Sequence, residues 1–292
     1  MNDTMKSSVF VPAHITGFFT IEDHYIDLKK GSLGAGFLIN KGVKTTIEYC
    51  NHLEINISQG NDLIIKEILK IFEVKSPLRI TQDIQLPIGA GFGTSAASAL
   101  SLSLALNEFL NLGYSIETCG QIAHKVEISL GGGLGDVIAQ TGKGLVLRTL
   151  PGAPGIGEIK SFNEDVYVAC KSFGDISTNN IITNPNYKKI ISENGKDYVD
   201  LFRKDSSLDN FLKFSYEFSK KTNLITNEVK STIDYIDSSC DILGSSMAML
   251  GNTLFTFSKN KECRSVRKEY CTVKCSAVEK KETQRATIIF AG

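Results

Sequence analysis

Hydrophobic and polar positions change rhythm several times along the chain. Over residues 9–57, short apolar runs such as "VFV", "GFLI" and "VKTTIEY" are broken by glycine and asparagine, which is a β-rich pattern. The stretch "NDLIIKEILKIFEV" (61–74) places Ile64, Ile65, Ile68, Leu69 and Phe72 at helical spacing, with Asn61 or Asp62 as the cap. "LRITQDIQL" (78–86) alternates as a strand, and a glycine-rich turn follows it. Beyond the turn the spacing predicts a helix over 94–111, apolar on nearly every face and therefore buried. A second helix is predicted over 115–130, opened by Ser115 and ended by the glycines at 131–133.

Strands are expected again at "GLVLRTL" and "DVYVACKSF". Residues 185–241 read as helical and rich in lysine and asparagine, and the tail returns to short strands, "NTLFTF", "YCTVKCSA" and "ATIIF". Composition shifts at "PGAPGIG" (151–157), the expected seam between a first half, 1–155, and a second, 156–292. Interleaved strands and helices predict an α+β fold. A chain of 292 residues allows one large domain or two intimately packed ones.

Composition narrows the function classes. Lys+Arg and Asp+Glu both total 32, so the formal charge is zero, which argues against a nucleic-acid footprint or an acidic membrane partner. No uninterrupted apolar stretch is long enough to span a bilayer. The opening "MNDTMKSSVFVPAH" lacks the basic-then-apolar layout of a signal peptide, so a cytoplasmic protein is expected. The 7 cysteines are odd in number and irregularly spaced. Cys271 and Cys275 form a CxxxC with no second Cys/His pair beside it, so the cysteines read as reduced and structural.

The glycine turn, "LPIGAGFGTSAASALSLSLAL" (86–106), admits three readings. A P-loop requires GxxxxGK[ST], and the stretch holds no lysine. A dinucleotide fingerprint requires a third glycine where Thr94 stands. A phosphate cradle built from backbone N–H groups at a helix start fits: Gly89, Gly91 and Gly93 permit close approach of an anion. No acidic residue follows Gly93 until Glu108, so the positive helix end is left uncompensated. The competing structural reading is a tight corner feeding a core helix. In the same way, Glu127 alone reads as a solvated helix position, and Asp136 as a cap after glycine.

"PIGAGFGTSAASAL" resembles the P-x-x-x-G-L-G-S-S-A-A signature of the GHMP kinases, with Phe92 in the leucine place and Thr94 in the first serine place. The resemblance implies a GHMP kinase fold: an N-terminal half like domain 2 of ribosomal protein S5, and a smaller α+β C-terminal domain. It implies ATP phosphates lying along Pro87, Gly89, Ala90, Gly91, Phe92, Gly93, Thr94, Ser95 and Ala96. It further implies Mg²⁺ shared by Ser95 and Glu127, and Asp136 as the base that takes the proton of the acceptor hydroxyl.

Where typical GHMP kinases begin P-G-K or P-G-R, this chain has Pro12-Ala13-His14, followed by "ITGFF". That opening is similar to the archaeal pantoate kinases, a branch of the GHMP kinases. "KGSLGAGFLINKGVKTTIEY" (30–49), "GLGDVIAQTGKGLVLRTLPGAPG" (133–155) and "SMAMLGNTLF" (246–255) resemble three further segments of that branch. An arginine commonly stands in the first of these where this chain has Leu33. The resemblance implies transfer of phosphate from ATP to pantoate, giving 4-phosphopantoate for coenzyme A synthesis. The acceptor is then a small carboxylate, and His14, Thr16, Lys30, Ser32 and Arg148 are the residues expected to bind it. His124, three residues before Glu127, is expected behind the metal ligands or simply buried. The alternatives are a GHMP kinase of homoserine, shikimate or mevalonate type, and a non-catalytic nucleotide-binding regulator. A homodimer is compatible with the reading.

Overall fold

The computed structural model describes residues 6–239, 242–259 and 271–274. Its first sheet is built on two long strands, β1 (Lys6–Phe19) and β2 (Gly34–Tyr49), antiparallel over nearly their whole length. The other edge of β2 is shared. β5 (Leu145–Leu150) pairs with Gly34–Phe37, and β4 (Leu78–Ile84) pairs with Val43–Tyr49. β3 (Glu54–Ile57) adds parallel to β4, and β6 (Glu158–Phe162) adds antiparallel to β5.

β1 is buried on both faces, which is why "VFVPAHITGFF" shows no clean alternation. Its register slips between Pro12 and Ala13 and again between Thr16 and Phe18. Pro12 has no N–H to give a ladder, so a bulge is the natural place for it. Along its length the strand feeds two cores. Val9 and Val11 enter the core under the glycine-turn helix, whereas Ala13, Ile15 and Phe18 enter the second core. Successive side chains of a strand point to opposite faces, so His14 and Thr16 face away from that second core.

The helix after the turn, α2 (Thr94–Phe109), packs against β1, β2, α1 (Leu63–Ile71) and α3 (Ile116–Ser129). Ser98, Ser101 and Ser103 are buried yet satisfied. Ser98 donates to Gln82 Oε1 at 2.6 Å, Ser101 bonds Thr45 Oγ1 at 2.7 Å, and Ser103 donates back to the Ala99 carbonyl at 2.9 Å. Ser115 caps α3 by accepting from the Thr118 N–H at 3.1 Å. A single turn, α4 (Asp136–Ala139), follows the glycine segment.

The region read as helical over 185–241 resolves into α6 (Pro185–Lys204), α7 (Leu208–Lys221) and α8 (Asn227–Ser239), preceded by the short α5 (Thr178–Thr183). These helices accompany a second sheet ordered β10-β7-β9-β8, made of β7 (Tyr167–Ser172), β8 (Gly244–Ala248), β9 (Thr253–Ser258) and β10 (Cys271–Lys274). The expected strand "ATIIF" (286–290) and Cys240, Cys263 and Cys275 lie outside the described residues. Cys119 and Cys170 are buried and Cys50 half-buried, none of them in a disulfide.

The segment 151–157 joins β5 to β6 within the first sheet, so that sheet continues past residue 155. One aromatic core spans both halves of the chain. Phe37 stands 4.6 Å from Phe257 and 5.1 Å from Phe255 between ring centroids, and Phe18 stands 5.6 Å from Phe202. Among the described residues no helix is long and apolar enough to cross a membrane.

Candidate active site

The glycine turn enters α2 through Gly93, whose backbone is left-handed at φ 59°. A Cβ there would come within 3.1 Å of the Asp136 carboxyl carbon, so glycine is what lets that carboxylate lie against the helix start. A Cβ on Gly91 would stand 3.1 Å from Gly251 Cα, and one on Gly251 would stand 2.2 Å from the Ala90 carbonyl. The turn is therefore packed backbone to backbone against the loop after β8. Carbonyl groups of the turn are held by the body of the protein: Phe92 by the His14 N–H (3.0 Å), Gly89 by the Ile176 N–H (3.2 Å) and Gly93 by Gln140 Nε2 (2.8 Å). The first turn of α2 carries no acidic residue and no side-chain cap. Its leading N–H groups have no partner within the helix and carry the positive end of the dipole.

Glu127 projects from the last turn of α3 and is only 1 % exposed. Its Oε2 accepts from Ser95 Oγ at 3.0 Å and from the Gly133 N–H at 3.2 Å. Burial pushes its carboxyl up to about 7 and the Asp136 charge pushes the same way, against the two donors. A Cβ on Gly132 would fall 2.5 Å from that oxygen, which explains why glycine follows this helix beyond simply ending it.

Asp136 opens α4 and bonds His14 Nδ1 through Oδ1 at 2.7 Å. The His14 ring is fully buried. Burial lowers its pKa, the Asp136 bond and charge raise it, and the nearby Arg148 charge lowers it further. Arg148, on β5, is 1 % exposed, and burial brings its guanidinium down to about 10 while the Asp136 charge opposes this. Among the described residues its one side-chain contact of hydrogen-bond length is a long one, 3.5 Å from Nη1 to Thr16 Oγ1. Nε has no partner, and among the described residues no carboxylate pairs with it. The guanidinium is slotted between two glycines: a Cβ on Gly34 or on Gly135 would lie 2.7 Å from its nitrogens.

These groups surround one cleft of about 780 Å³ including its open mouth. Gly89, Gly91, Phe92, Gly93, Thr94 and Ser95 line it, together with Asp136, Thr16, Ser32 and Arg148. Glu127 and His14 stand behind that lining, against Ser95 and Asp136. Pro87, Ala90 and Ala96 do not line the cleft, and the side chains of Ala90 and Ala96 belong to the cores. Lys30 is not brought to the cleft either: its Nζ pairs with Asp27 Oδ1 at 2.8 Å on the short turn Asp27–Lys29. His124 lies next to that turn, its Nε2 3.0 Å from the Lys30 carbonyl. Leu33 packs on the large core, and its N–H bonds Thr20 Oγ1.

Sequence reasoning gave no role to the apolar wall formed by Phe19, Leu134, Ile182 and Met249. Ile182 comes from α5, which the helical pattern starting at 185 did not reach. The triple glycine that ends α3 also supplies cleft lining at Gly132 and Gly133.

A second cluster shares no residue with the cleft lining. Cys50, His52 and Glu54 bring ligand atoms within 4.8 Å of one another. Arg79 already fills that place with positive charge, its Nε 2.7 Å from Glu54 Oε2 and its Nη2 3.6 Å from Cys50 Sγ.

The chain is 38% identical to the pantoate kinase of Methanocaldococcus jannaschii, over 86% of this chain and 92% of that one. The chain belongs to the pantoate kinase family. The pantoate kinase of Thermococcus kodakarensis is 33% identical over 90% of this chain and 91% of its own length. The family model for the GHMP kinases N terminal domain matches residues 62–144, which hold the glycine turn, Ser95, Glu127 and Asp136. A solved structure described as a phosphotransferase related to the CoA biosynthesis pathway superposes with a TM-score of 0.83 at 28% identity, covering 93% of this chain and 96% of that one. The α+β GHMP kinase fold expected from the turn is thus the fold of this member of the pantoate kinases.

Proposed function

We propose that the protein transfers the γ-phosphoryl group of ATP to the terminal hydroxyl of pantoate, giving 4-phosphopantoate and ADP. The observation that carries the acceptor reading is Arg148: a buried cation that pairs with no carboxylate among the described residues, opening on the same cleft as Asp136 and the α2 N-terminus. Burying an unpaired charge is costly, and an acceptor carboxylate would relieve that cost by a charge-assisted pair. Thr16 and Ser32 stand beside the guanidinium as hydroxyl partners for the acceptor. The wall of Phe19, Leu134 and Ile182 suits the dimethyl carbon of pantoate.

The uncapped start of α2 is suited to bind the triphosphate through backbone N–H groups. Ser95 and Glu127 offer hard oxygen ligands, one hydroxyl and one carboxylate 3.0 Å apart, which fits Mg²⁺. When bound, Mg²⁺ would neutralise phosphate charge during transfer. Asp136 holds its carboxylate at the helix start and takes the acceptor proton as the oxygen–phosphorus bond forms. The remaining parts of the reading are a small-molecule acceptor, a cytoplasmic setting and no nucleic-acid or membrane partner; the balanced charge supports the last.

The test is ADP release from Mg-ATP with pantoate, homoserine, shikimate or mevalonate as acceptor. Stimulation by pantoate above the others is expected. Stimulation by another acid reassigns the acceptor, and nucleotide binding without turnover on any acid would make the protein a nucleotide-binding regulator.

A further inference from the structure

His14 occupies a place that no acceptor reaches. Its ring is fully buried and does not line the cleft, yet its Nδ1 is 2.7 Å from Asp136 Oδ1. We propose that His14 is a positioning residue for Asp136: its Nδ1–H holds one carboxylate oxygen so that the other stays over the cleft floor. This inference rests on the reading of Asp136 as the group that receives the acceptor proton.

Three observations support it. The first is the tautomer. An ionised carboxylate only accepts, so the Nδ1 side must carry the hydrogen. Nε2 is buried without a partner. A second hydrogen there would be an orphaned donor on a cation, with the Arg148 charge nearby, so both burial and Arg148 keep the ring neutral. The charged groups acting on the ring are Asp136 from α4 and Arg148 from β5.

The second is rigidity. A Cβ on Gly36 would lie 2.3 Å from Nε2 and 2.7 Å from Cε1, so the far edge of the ring abuts the β2 backbone. The backbone of His14 is fixed too, by its N–H to the Phe92 carbonyl and by pairing opposite Leu38. The ring therefore has no room to swing off Asp136.

The third is the need. Asp136 sits at the start of a helix of 4 residues that follows glycines at 131, 132, 133 and 135. Such a backbone does little to orient a carboxylate. With Oδ1 held by His14, Oδ2 lies over Gly133, where a Cβ would approach it to 2.5 Å. In the reaction the acceptor proton passes to the Asp136 carboxylate. The acceptor oxygen bonds the γ-phosphorus, and the bond to the bridging oxygen breaks with its electron pair leaving on ADP. His14 keeps its own proton throughout.

The experiment compares His14→Asn with His14→Gln. The Asn amide overlays the position of Nδ1, and the Gln amide overlays that of Nε2. His14→Asn is expected to keep kcat within about fivefold of the parent, and His14→Gln to lose on the order of fiftyfold, with KM for ATP and pantoate within about twofold in both. A raised pantoate KM at unchanged kcat, or equal loss in the two variants, overturns the inference. A second measurement needs no change at His14. Nitrogen-15 histidine spectra of the unaltered protein, which has only 4 histidines, should show His14 protonated at Nδ1, and the spectrum should change in Asp136→Asn. Protonation at Nε2 instead would contradict it. If the unaltered protein does not turn over pantoate, the reading of the reaction fails while the tautomer result still decides the role of His14.

Discussion

Ser95 and Glu127 are 32 residues apart in the sequence and share a 3.0 Å hydrogen bond across the first turn of α2. That bond holds a fully buried carboxyl whose ionisation burial resists, with its value pushed up to about 7. The pair is therefore the metal-ligand set we propose, and it is a source of pH-dependent stability.

Below about pH 4.5 the Glu127 carboxyl is protonated in both folded and unfolded chains. Between that point and about 7 the folded state holds a proton that the unfolded chain has released, so this group's contribution falls as pH rises. Without metal, Glu127→Gln should therefore be more stable than the parent at pH 8 by about 3 kcal/mol, and equal to it at pH 4. His14, whose value is lowered, acts in the opposite direction below its ordinary 6.5, and both proteins share that effect. Urea titrations of parent and variant across this range check the difference, and added Mg²⁺ should narrow it at pH 8.

Arg148 makes stability and function pull apart. Replacing an unpaired buried cation by an apolar chain of similar length should raise metal-free stability by about 1–3 kcal/mol in Arg148→Met. The same change should raise the pantoate KM by about a hundredfold or more, with ATP affinity unaffected. Thermal unfolding and acceptor titrations on one preparation test both halves.

Lys30 should be dispensable. Its amine is paired on the surface with Asp27, and exposed pairs contribute little. Lys30→Ala is expected to change pantoate KM and kcat by less than about twofold, as steady-state assays would show.

Gly93→Ala should damage the site from two sides. It puts a side chain on a backbone at φ 59°, costing about 1–2 kcal/mol, and pushes a methyl towards Asp136. ATP affinity and kcat should both fall, by about tenfold or more, in a protein that still folds. Calorimetric titration with ATP alongside turnover separates the two losses.

What could be read from the sequence was local. The glycine turn, the missing first-turn acid of α2 and the glycines around Asp136 lie within short windows, and the structure brings their residues to one cleft. The choice between Lys30 and Arg148 was not local. It depends on β5 pairing Arg148 opposite Gly34, a register fixed only once the sheet forms. The bond from His14 to Asp136 crosses 122 residues, and no periodicity carries information over that span. The wall at Ile182 escaped because α5 spans only 6 residues, too few for a helical repeat to stand out.

Asp136 is the group we propose to receive the acceptor proton beside the glycine turn. A single-turnover reaction with Mg-ATP and pantoate, followed by phosphorus NMR for the terminal phosphomonoester, tests it in the parent and in Asp136→Asn. The account expects phosphopantoate from the parent and a rate lower by about a thousandfold or more in the variant, with ATP still bound at near-parental affinity. Product formed at the parental rate by Asp136→Asn, or ADP formed without phosphopantoate by the parent, would contradict it.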